Sequence, residues 1–256
     1  EEWKQFILMD ENKKNTENLA EGSLMSHLFE LRNRLFIIIG SVLIVFLCLV
    51  PFSQQLLTFM AEPLTQFIKS EQLQAIKPIS PLTAQIYLAF YAAIFIAMPI
   101  ILYQVWAFVA PGLYKKEKRF ASPLFISSVI LFYAGIAFAY FVVLPLIFGF
   151  ISSFAAEIID WKPDIAEYIS FVMMIILVFG AAFETPVATV LIVWTGLTTT
   201  EKLGKARPYV FLGAFVIGML LTPPDIISQT ILAIPVYILY ELGIIMSKLF
   251  KPKDGR

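Results

Sequence analysis

The chain has 256 residues, of which 59% are apolar and only 15% are charged. Soluble domains carry about 45–50% apolar and about 25% charged residues, so a mean hydropathy of +0.81 excludes a water-soluble globular domain. The 19 basic and 19 acidic side chains cancel, which argues against nucleic acid as a partner, and the single Cys48 excludes a disulfide framework. The composition therefore predicts an all-α polytopic membrane protein.

Six apolar stretches are candidates for membrane spans, each of which needs about 20 residues. They lie at residues 35–52, 82–108, 123–150, 168–194, 208–221 and 226–245. The fifth offers only about 14 residues, or about 21 Å of helix, against about 30 Å of hydrocarbon. It joins the sixth through a tight Thr-Pro-Pro-Asp turn. Such a short hairpin either thins the bilayer or is covered by protein.

Basic residues lie mostly on one side of these spans. They concentrate in the N-terminal segment, the loops after spans two and four, and the C-terminal tail, whereas the opposite side holds only Lys69, Lys77 and Lys162. The positive-inside rule therefore predicts that both termini are cytoplasmic. On the outer side, the spacing of apolar residues over 53–80 predicts amphipathic helices, with Pro63 interrupting the pattern.

Glu184 is the carboxyl group deepest inside a predicted span. A charge there costs about 2.5–3.5 kcal/mol on insertion scales, which makes a functional role the first hypothesis. Pro186 lacks an N–H, so the helix is expected to kink beside it and open a polar pocket. The alternative is a protonated Glu184 that hydrogen-bonds a neighbouring helix for packing alone. Glu241, near the cytoplasmic end of span six, is interpreted as structural, and Asp225 is expected either to cap that span or to serve a function.

A helical stripe of leucines leads into the first span, and on it Glu30 and Arg34 stand four residues apart, so they can pair. Glu117 is a lone acid among four bases. Taken alone, both glutamates read as residues of solvated faces. His27 is the single histidine, so neither a catalytic triad nor a histidine metal cluster is available.

Several strings together resemble the TatC family of the twin-arginine (Sec-independent) protein translocase. They include HLFELRNRL (27–35), LYQVWAFVAPGLYKKEKR (102–119), FETPVA (183–188), and RPY (207–209) with TPPD (222–225). The resemblance extends from about residue 23 to 247. It implies a glove-shaped bundle of six transmembrane helices in the bacterial cytoplasmic (inner) membrane. Residues 1–22 match weakly, residues 1–8 precede a candidate native start at Met9, and residues 248–256 form a basic tail.

The resemblance also implies a function, which is recognition of twin-arginine signal peptides on folded precursors and their export by the proton motive force. The residues that match the binding segment are Glu30, Arg32, Pro99, Phe108, Leu113, Tyr114 and Glu117. Glu30 and Glu117 are the carboxylates expected to meet the two guanidinium groups, and Arg32 could orient either of them. Glu184 would receive a polar residue from a single-span partner, whereas Pro63 and Asp225 match positions associated with assembly.

The partners that the resemblance implies are TatA and TatB, other TatC copies, the signal peptide and the lipid bilayer. No cofactor, metal or enzymatic activity is expected. The rival interpretation is a proton-coupled small-molecule transporter that uses Glu184 as a relay, although no internal repeat supports it. An intramembrane enzyme would need a nucleophile with a base, or a metal cluster. A purely structural scaffold is a further alternative interpretation. Replacing two arginines by lysines in a test peptide would separate a receptor from these rivals.

Overall fold

The computed structural model describes residues 25, 28–65, 74–109, 118–154, 163–222 and 225–249, and the regular elements of this part are helices. The elements, in chain order, are α1 (28–49), a 3-10 turn Val50–Phe52, α2 (Ser53–Thr65), α3 (Ser80–Val109), α4 (Lys118–Phe138), a π-helical turn Ala139–Val143, α5 (Leu144–Phe154), α6 (Ile165–Ala182), α7 (Thr185–Trp194), α8 (Thr200–Leu221) and α9 (Ile226–Leu249). Within this described part, an isolated bridge pairs Gln74 with Asp164.

Six helical segments in this described part are long and apolar enough to cross a membrane, which confirms the predicted all-α class with six spans. Continuous helix joins α1 to α2, and α4 to α5, so each pair contains one span. The fourth span consists of α6 and α7, which meet at a break. We call the end of the bundle at which α1 begins and α3 ends the basic end. The end that contains α2 and the start of α3 is the far end.

The core is built around α6, which packs against both α3 and α4. Its buried face includes Ile169, Val172, Ile176 and Phe179, each at most 1% exposed. The hairpin of α8 and α9 joins the bundle through α7. The apolar side chains of α1 are largely exposed, as expected for a helix surrounded by lipid tails. The first span therefore lies at the periphery of the bundle.

Pro99 lies inside α3, where a proline cannot donate the hydrogen bond that the carbonyl four residues earlier needs. That carbonyl belongs to Phe95, and the hydroxyl of Tyr133 on α4 donates to it at 2.9 Å. A neighbouring helix therefore replaces the donor that proline removes, which makes an interior proline tolerable in apolar surroundings.

The same arrangement occurs at the end of α2, which contains Pro63. The carbonyl of Phe59, four residues before this proline, accepts from the Tyr140 hydroxyl at 3.0 Å. The next carbonyl, that of Met60, accepts from the Tyr168 hydroxyl at 2.6 Å. Two tyrosines from the third and fourth spans therefore hold the amphipathic helix over the far end of the bundle.

The helix of the fifth span, Thr200–Leu221, begins eight residues before the apolar stretch 208–221 that predicted it. Thr199 caps it by accepting from the Lys202 N–H at 3.3 Å. Pro208 therefore stands inside the helix and not at its start. The apolar part is still short, but the helix extends as a basic turn at the basic end, because charged side chains there can remain in water.

Arg207 and Glu241 join α8 to α9 at the basic end. The guanidinium donates from Nε and Nη2 to the two carboxylate oxygens, at 2.6 Å and 2.8 Å. The Tyr237 hydroxyl donates to the same carboxylate at 2.9 Å. This two-point pairing is the most directional contact that Arg and Glu can make. It supports the structural interpretation of Glu241.

Asp164 connects two segments at the far end. Its carboxylate caps α6 by accepting from Ala166 N–H at 2.9 Å and from Glu167 N–H at 3.3 Å. It also accepts from Ile76 N–H at 2.8 Å and from the Ser80 hydroxyl at 3.1 Å, just before and at the start of α3. The Ile76 N–H contributes most to holding the pKa of Asp164 below its ordinary value, and the other donors act in the same direction.

We expect Asp164→Asn to lower the stability at neutral pH by about 1 kcal/mol, since hydrogen bonds to a charged acceptor are stronger than those to a neutral amide. Because folding lowers the pKa, this stabilisation is present above the ordinary Asp value of 3.8 and is lost as the pH falls through the folded-state pKa. Unfolding temperatures in detergent should therefore differ at neutral pH and converge at the acid end. An equal difference at both would contradict this origin.

Candidate functional site

A polar cluster lies between α1 and α3 at the basic end. Arg34 donates from Nε and Nη2 to Oε1 of Glu30, at 3.0 Å and 2.6 Å, so the pairing predicted from their spacing is present. Its third donor, Nη1, contacts the side-chain oxygen of Gln104 at 3.1 Å. Gln104 is only 8% exposed, so the cluster reaches from the surface into the bundle. One guanidinium therefore bridges a carboxylate on the first span and an amide on the second.

Three of the other residues predicted for this site lie on the same two helices as the cluster. Phe108 is half-buried one turn beyond Gln104, and Pro99 lies about one turn before it on α3. Arg32 is exposed on α1, where its guanidinium lies 5.2 Å from the centre of the Phe29 ring and 3.5 Å from the Asn33 side-chain oxygen. Three more predicted residues lie outside the described residues, namely Leu113, Tyr114 and Glu117.

Glu184 occupies the break in the fourth span, so the predicted kink is present. Helix α6 ends at Ala182 and α7 starts at Thr185, with Pro186 in its first turn. A proline tolerates this position because the first N–H groups of a helix have no intrahelical acceptor. The break places the Glu184 side chain inside the bundle, where it is half-buried.

A chain of hydrogen bonds from two other spans reaches this carboxyl group. The Trp106 indole N–H donates to the Ser128 hydroxyl at 3.4 Å, and that hydroxyl donates to Glu184 Oε2 at 2.5 Å. Ser128 is fully buried and Trp106 is 8% exposed. The second oxygen, Oε1, is buried and has no hydrogen-bond partner among the described residues. One carboxyl oxygen is therefore held in place, and the other retains unused hydrogen-bonding capacity.

Both polar sites connect to the last turns of α3, the Glu30–Arg34 cluster directly and Glu184 through Ser128. Gln104 and Trp106 are two residues apart, which in a helix turns their side chains to roughly opposite sides. Gln104 accordingly contacts Arg34 on α1, whereas Trp106 contacts Ser128 on α4. A movement of this end of α3 would change the contacts of both Arg34 and Glu184.

The sequence did not predict a role for three of these residues, which are Gln104, Trp106 and Ser128. Gln104 and Trp106 stand in a string that carries the family resemblance, yet periodicity alone makes them ordinary members of an apolar helix. Ser128 follows another serine in an apolar run, and small hydroxyl side chains are common where helices pack closely in membranes. The signal that could have found it is the need of Glu184 for a hydrogen-bond donor on a neighbouring helix.

Asp225 caps α9, in agreement with one of its two predicted roles. Its side chain accepts from the Ser228 N–H at 2.6 Å. This contact orders the start of the sixth span, next to the end of the fifth. Within the described residues, no group of three His, Cys, Asp or Glu side chains is placed to hold a metal ion. The polar groups present can exchange hydrogen bonds and ion pairs with a partner.

Six apolar helices, a carboxylate–guanidinium cluster at one end and a carboxyl group within the bundle define a multi-pass membrane protein. The chain belongs to the TatC family, because residues 26–235 match the family described as Sec-independent protein translocase protein (TatC). It is thus similar to components of a protein translocase.

Relatives and solved structures agree with this membership. The TatC protein of Escherichia coli strain K12 is 50% identical over 231 residues, which are 90% of each chain. The TatC protein of Haemophilus influenzae is 47% identical over 232 residues, which are 90% of this chain and 91% of its own. A crystal structure described as the twin arginine translocase receptor TatC matches with a TM-score of 0.81 at 37% identity, and covers 88% of this chain and 100% of that one.

Proposed function

We propose that this protein is the signal-peptide receptor and core subunit of a twin-arginine translocase that exports folded proteins. The observation that carries the proposal is the Glu30 carboxylate at the basic end, which already accepts two hydrogen bonds from a guanidinium. A site that holds one guanidinium has the chemistry to hold another. The solved structure described as a twin arginine translocase receptor supports the same role.

Discrimination for arginine follows from this chemistry. A guanidinium presents a planar fork of donors to a carboxylate, whereas an ammonium group acts as a compact, strongly hydrated point charge. Two carboxylates, Glu30 and Glu117, would each take one arginine of the peptide. Phe108 would cover the apolar side of the site, with Leu113 and Tyr114 contributing from the following loop.

The proposed orientation places the basic end in the cytoplasm of a bacterial cell, with the chain in the inner membrane and both termini inside. The distribution of Lys and Arg supports this orientation. A signal peptide that has not yet crossed the membrane would then meet the Glu30 cluster first. Transport would draw on the proton motive force.

Glu184 is proposed as the contact for a single-span partner of the TatA or TatB kind. The unused hydrogen-bonding capacity of Oε1 supports this role, because a polar side chain on an incoming helix would satisfy it. Pro63 and Asp225 are proposed to act at the far end in assembly with further TatC copies. The hydrogen bond from the Tyr140 hydroxyl to the Phe59 carbonyl would hold the segment of Pro63 in place for such contacts. The hydrogen bond from the Ser228 N–H to Asp225 would do the same at the start of α9.

The experiment is a titration of the purified full chain in lipid nanodiscs with a fluorescent twin-arginine signal peptide, alongside a peptide in which both arginines are lysine. We expect the dilysine peptide to bind about tenfold or more weakly, since it loses charge-assisted forks worth roughly 1.5–3 kcal/mol. Glu30→Gln should weaken binding of the diarginine peptide by a similar factor, because a neutral amide replaces the charged acceptor.

The matched control is Glu201→Gln, which removes an exposed carboxylate from the first turn of α8. It should bind both peptides as the unaltered protein does, because no part of the proposed site involves it. Equal binding of the two peptides by the unaltered protein would exclude the receptor function and would leave the transporter and scaffold interpretations in its place.

A further inference from the structure

Glu30, the carboxylate proposed to receive an arginine of the signal peptide, is paired with an arginine of the chain itself. Arg34 directs two of its donors at Oε1 of this carboxylate, at 3.0 Å and 2.6 Å. The pair is partly shielded, with the Arg34 side chain 22% exposed and that of Glu30 39% exposed. The contact is of the same chemical kind as the one a bound peptide would make.

We propose that Arg34 is an internal competitor, which occupies Glu30 until an incoming arginine displaces it. The inference rests on the proposed receptor function and concerns how that site is regulated. When the peptide's guanidinium binds, its donors replace the two that Arg34 directs at the same carboxylate, so Glu30 keeps its charge-assisted hydrogen bonds. A lysine would replace a fork with a single point of contact, which leaves the exchange unfavourable.

Gln104 offers a hydrogen-bond acceptor to the guanidinium of Arg34 after Arg34 has left Glu30. Its side-chain oxygen already accepts from Nη1 of Arg34 at 3.1 Å, on the opposite side from Glu30. Because Gln104 is buried on α3, its amide dipole stays in place while the Arg34 fork swings away. Release of Glu30 therefore leaves Arg34 hydrogen-bonded, which keeps the cost of vacating the carboxylate modest.

The competitor role predicts how Arg34 changes the affinity for different peptides. The cost of releasing Glu30 is the same for every ligand, so Arg34 lowers the affinity for all peptides by one common factor. It thereby raises the peptide concentration that binding requires. At low concentration, only peptides whose guanidinium groups pair with the carboxylate through two donors bind. If Arg34 instead served to orient Glu30 for the ligand, its removal would weaken binding.

The test uses the full chain in nanodiscs and the same two fluorescent peptides. Arg34→Gln is expected to bind the diarginine peptide about two- to tenfold more tightly, which corresponds to about 0.4–1.4 kcal/mol, the range for releasing a partly exposed ion pair. The dilysine peptide should gain the same factor. Arg34→Lys keeps the charge but loses the fork, and it should give a smaller increase in the same direction.

Lys202→Gln is the control for long-range charge, because it removes an exposed positive charge from α8 at the same end of the bundle. It should change both affinities by less than about twofold. Weaker or unchanged binding by Arg34→Gln, with the arginine preference of the unaltered protein intact, would overturn the competitor role alone. An unchanged affinity of Arg34→Lys would also overturn it. The tighter binding by Arg34→Gln would then come from the loss of a positive charge that repels the peptide, and not from the release of Glu30. Loss of the arginine preference in the unaltered protein would overturn the receptor function.

Discussion

Replacing Glu184 with alanine is expected to reduce export of a twin-arginine precursor by about tenfold or more, while signal-peptide affinity stays within about twofold. The carboxyl group lies at the break between α6 and α7, with Oε2 bound to Ser128 and Oε1 without a partner in the described part of the chain. Alanine removes the group that an incoming helix would bind. It leaves the Glu30 cluster on α1 and α3 untouched, so the two functions should separate.

Two further variants show which property of Glu184 matters. Glu184→Gln retains an oxygen that accepts from Ser128, and should restore part of the export if hydrogen bonding is what a partner requires. Ser128→Ala removes the donor that holds Oε2 in place, and should lower the rate less than Glu184→Ala because the carboxyl group remains. Export rates, together with disulfide crosslinking to the proposed single-span partners, provide the measurements. A normal rate for Glu184→Ala would return this residue to a packing role.

Gly135→Ala is expected to destabilise the protein by about 1–3 kcal/mol, the usual range for overpacking. An added Cβ would lie 2.6 Å from the Phe179 carbonyl oxygen and 3.0 Å from the Gly180 Cα. These atoms belong to the backbone of α6 and cannot rotate away, so the helices must separate. Export should fall too, because α4 also carries Ser128, and its displacement lengthens the hydrogen bond to Glu184.

Gly213→Ala on α8 is the matched control, since nothing lies within 4 Å of the Cβ that it would add. Alanine stabilises a helix relative to glycine by up to about 1 kcal/mol, so this variant should be as stable as the unaltered protein or slightly more stable. Thermal unfolding in detergent measures both. Equal stability of the two alanine variants would contradict close contact between α4 and α6.

The class of protein and most of its helices could be predicted from the amino-acid sequence. Long apolar stretches require helices in lipid, because every backbone polar group must be satisfied within its own segment. The break at Glu184 was predictable for a similar local reason, since proline removes a donor at a known position. The Glu30–Arg34 pair followed from helical spacing alone. In contrast, the start of α8 was not predictable from hydropathy, because its first turns carry charged side chains.

The contacts between residues far apart in the sequence could not be predicted and follow from the packing of the helices. Tyr133 supplies the hydrogen bond that Pro99 removes, although 34 positions separate them in the sequence. Ser128 reaches Glu184 across 56 positions, and Gln104 reaches Arg34 across 70. Such contacts depend on how helices cross and rotate about their axes, and one apolar sequence permits many such arrangements. A polar group buried in a membrane needs a partner, and packing selects the residue that provides it.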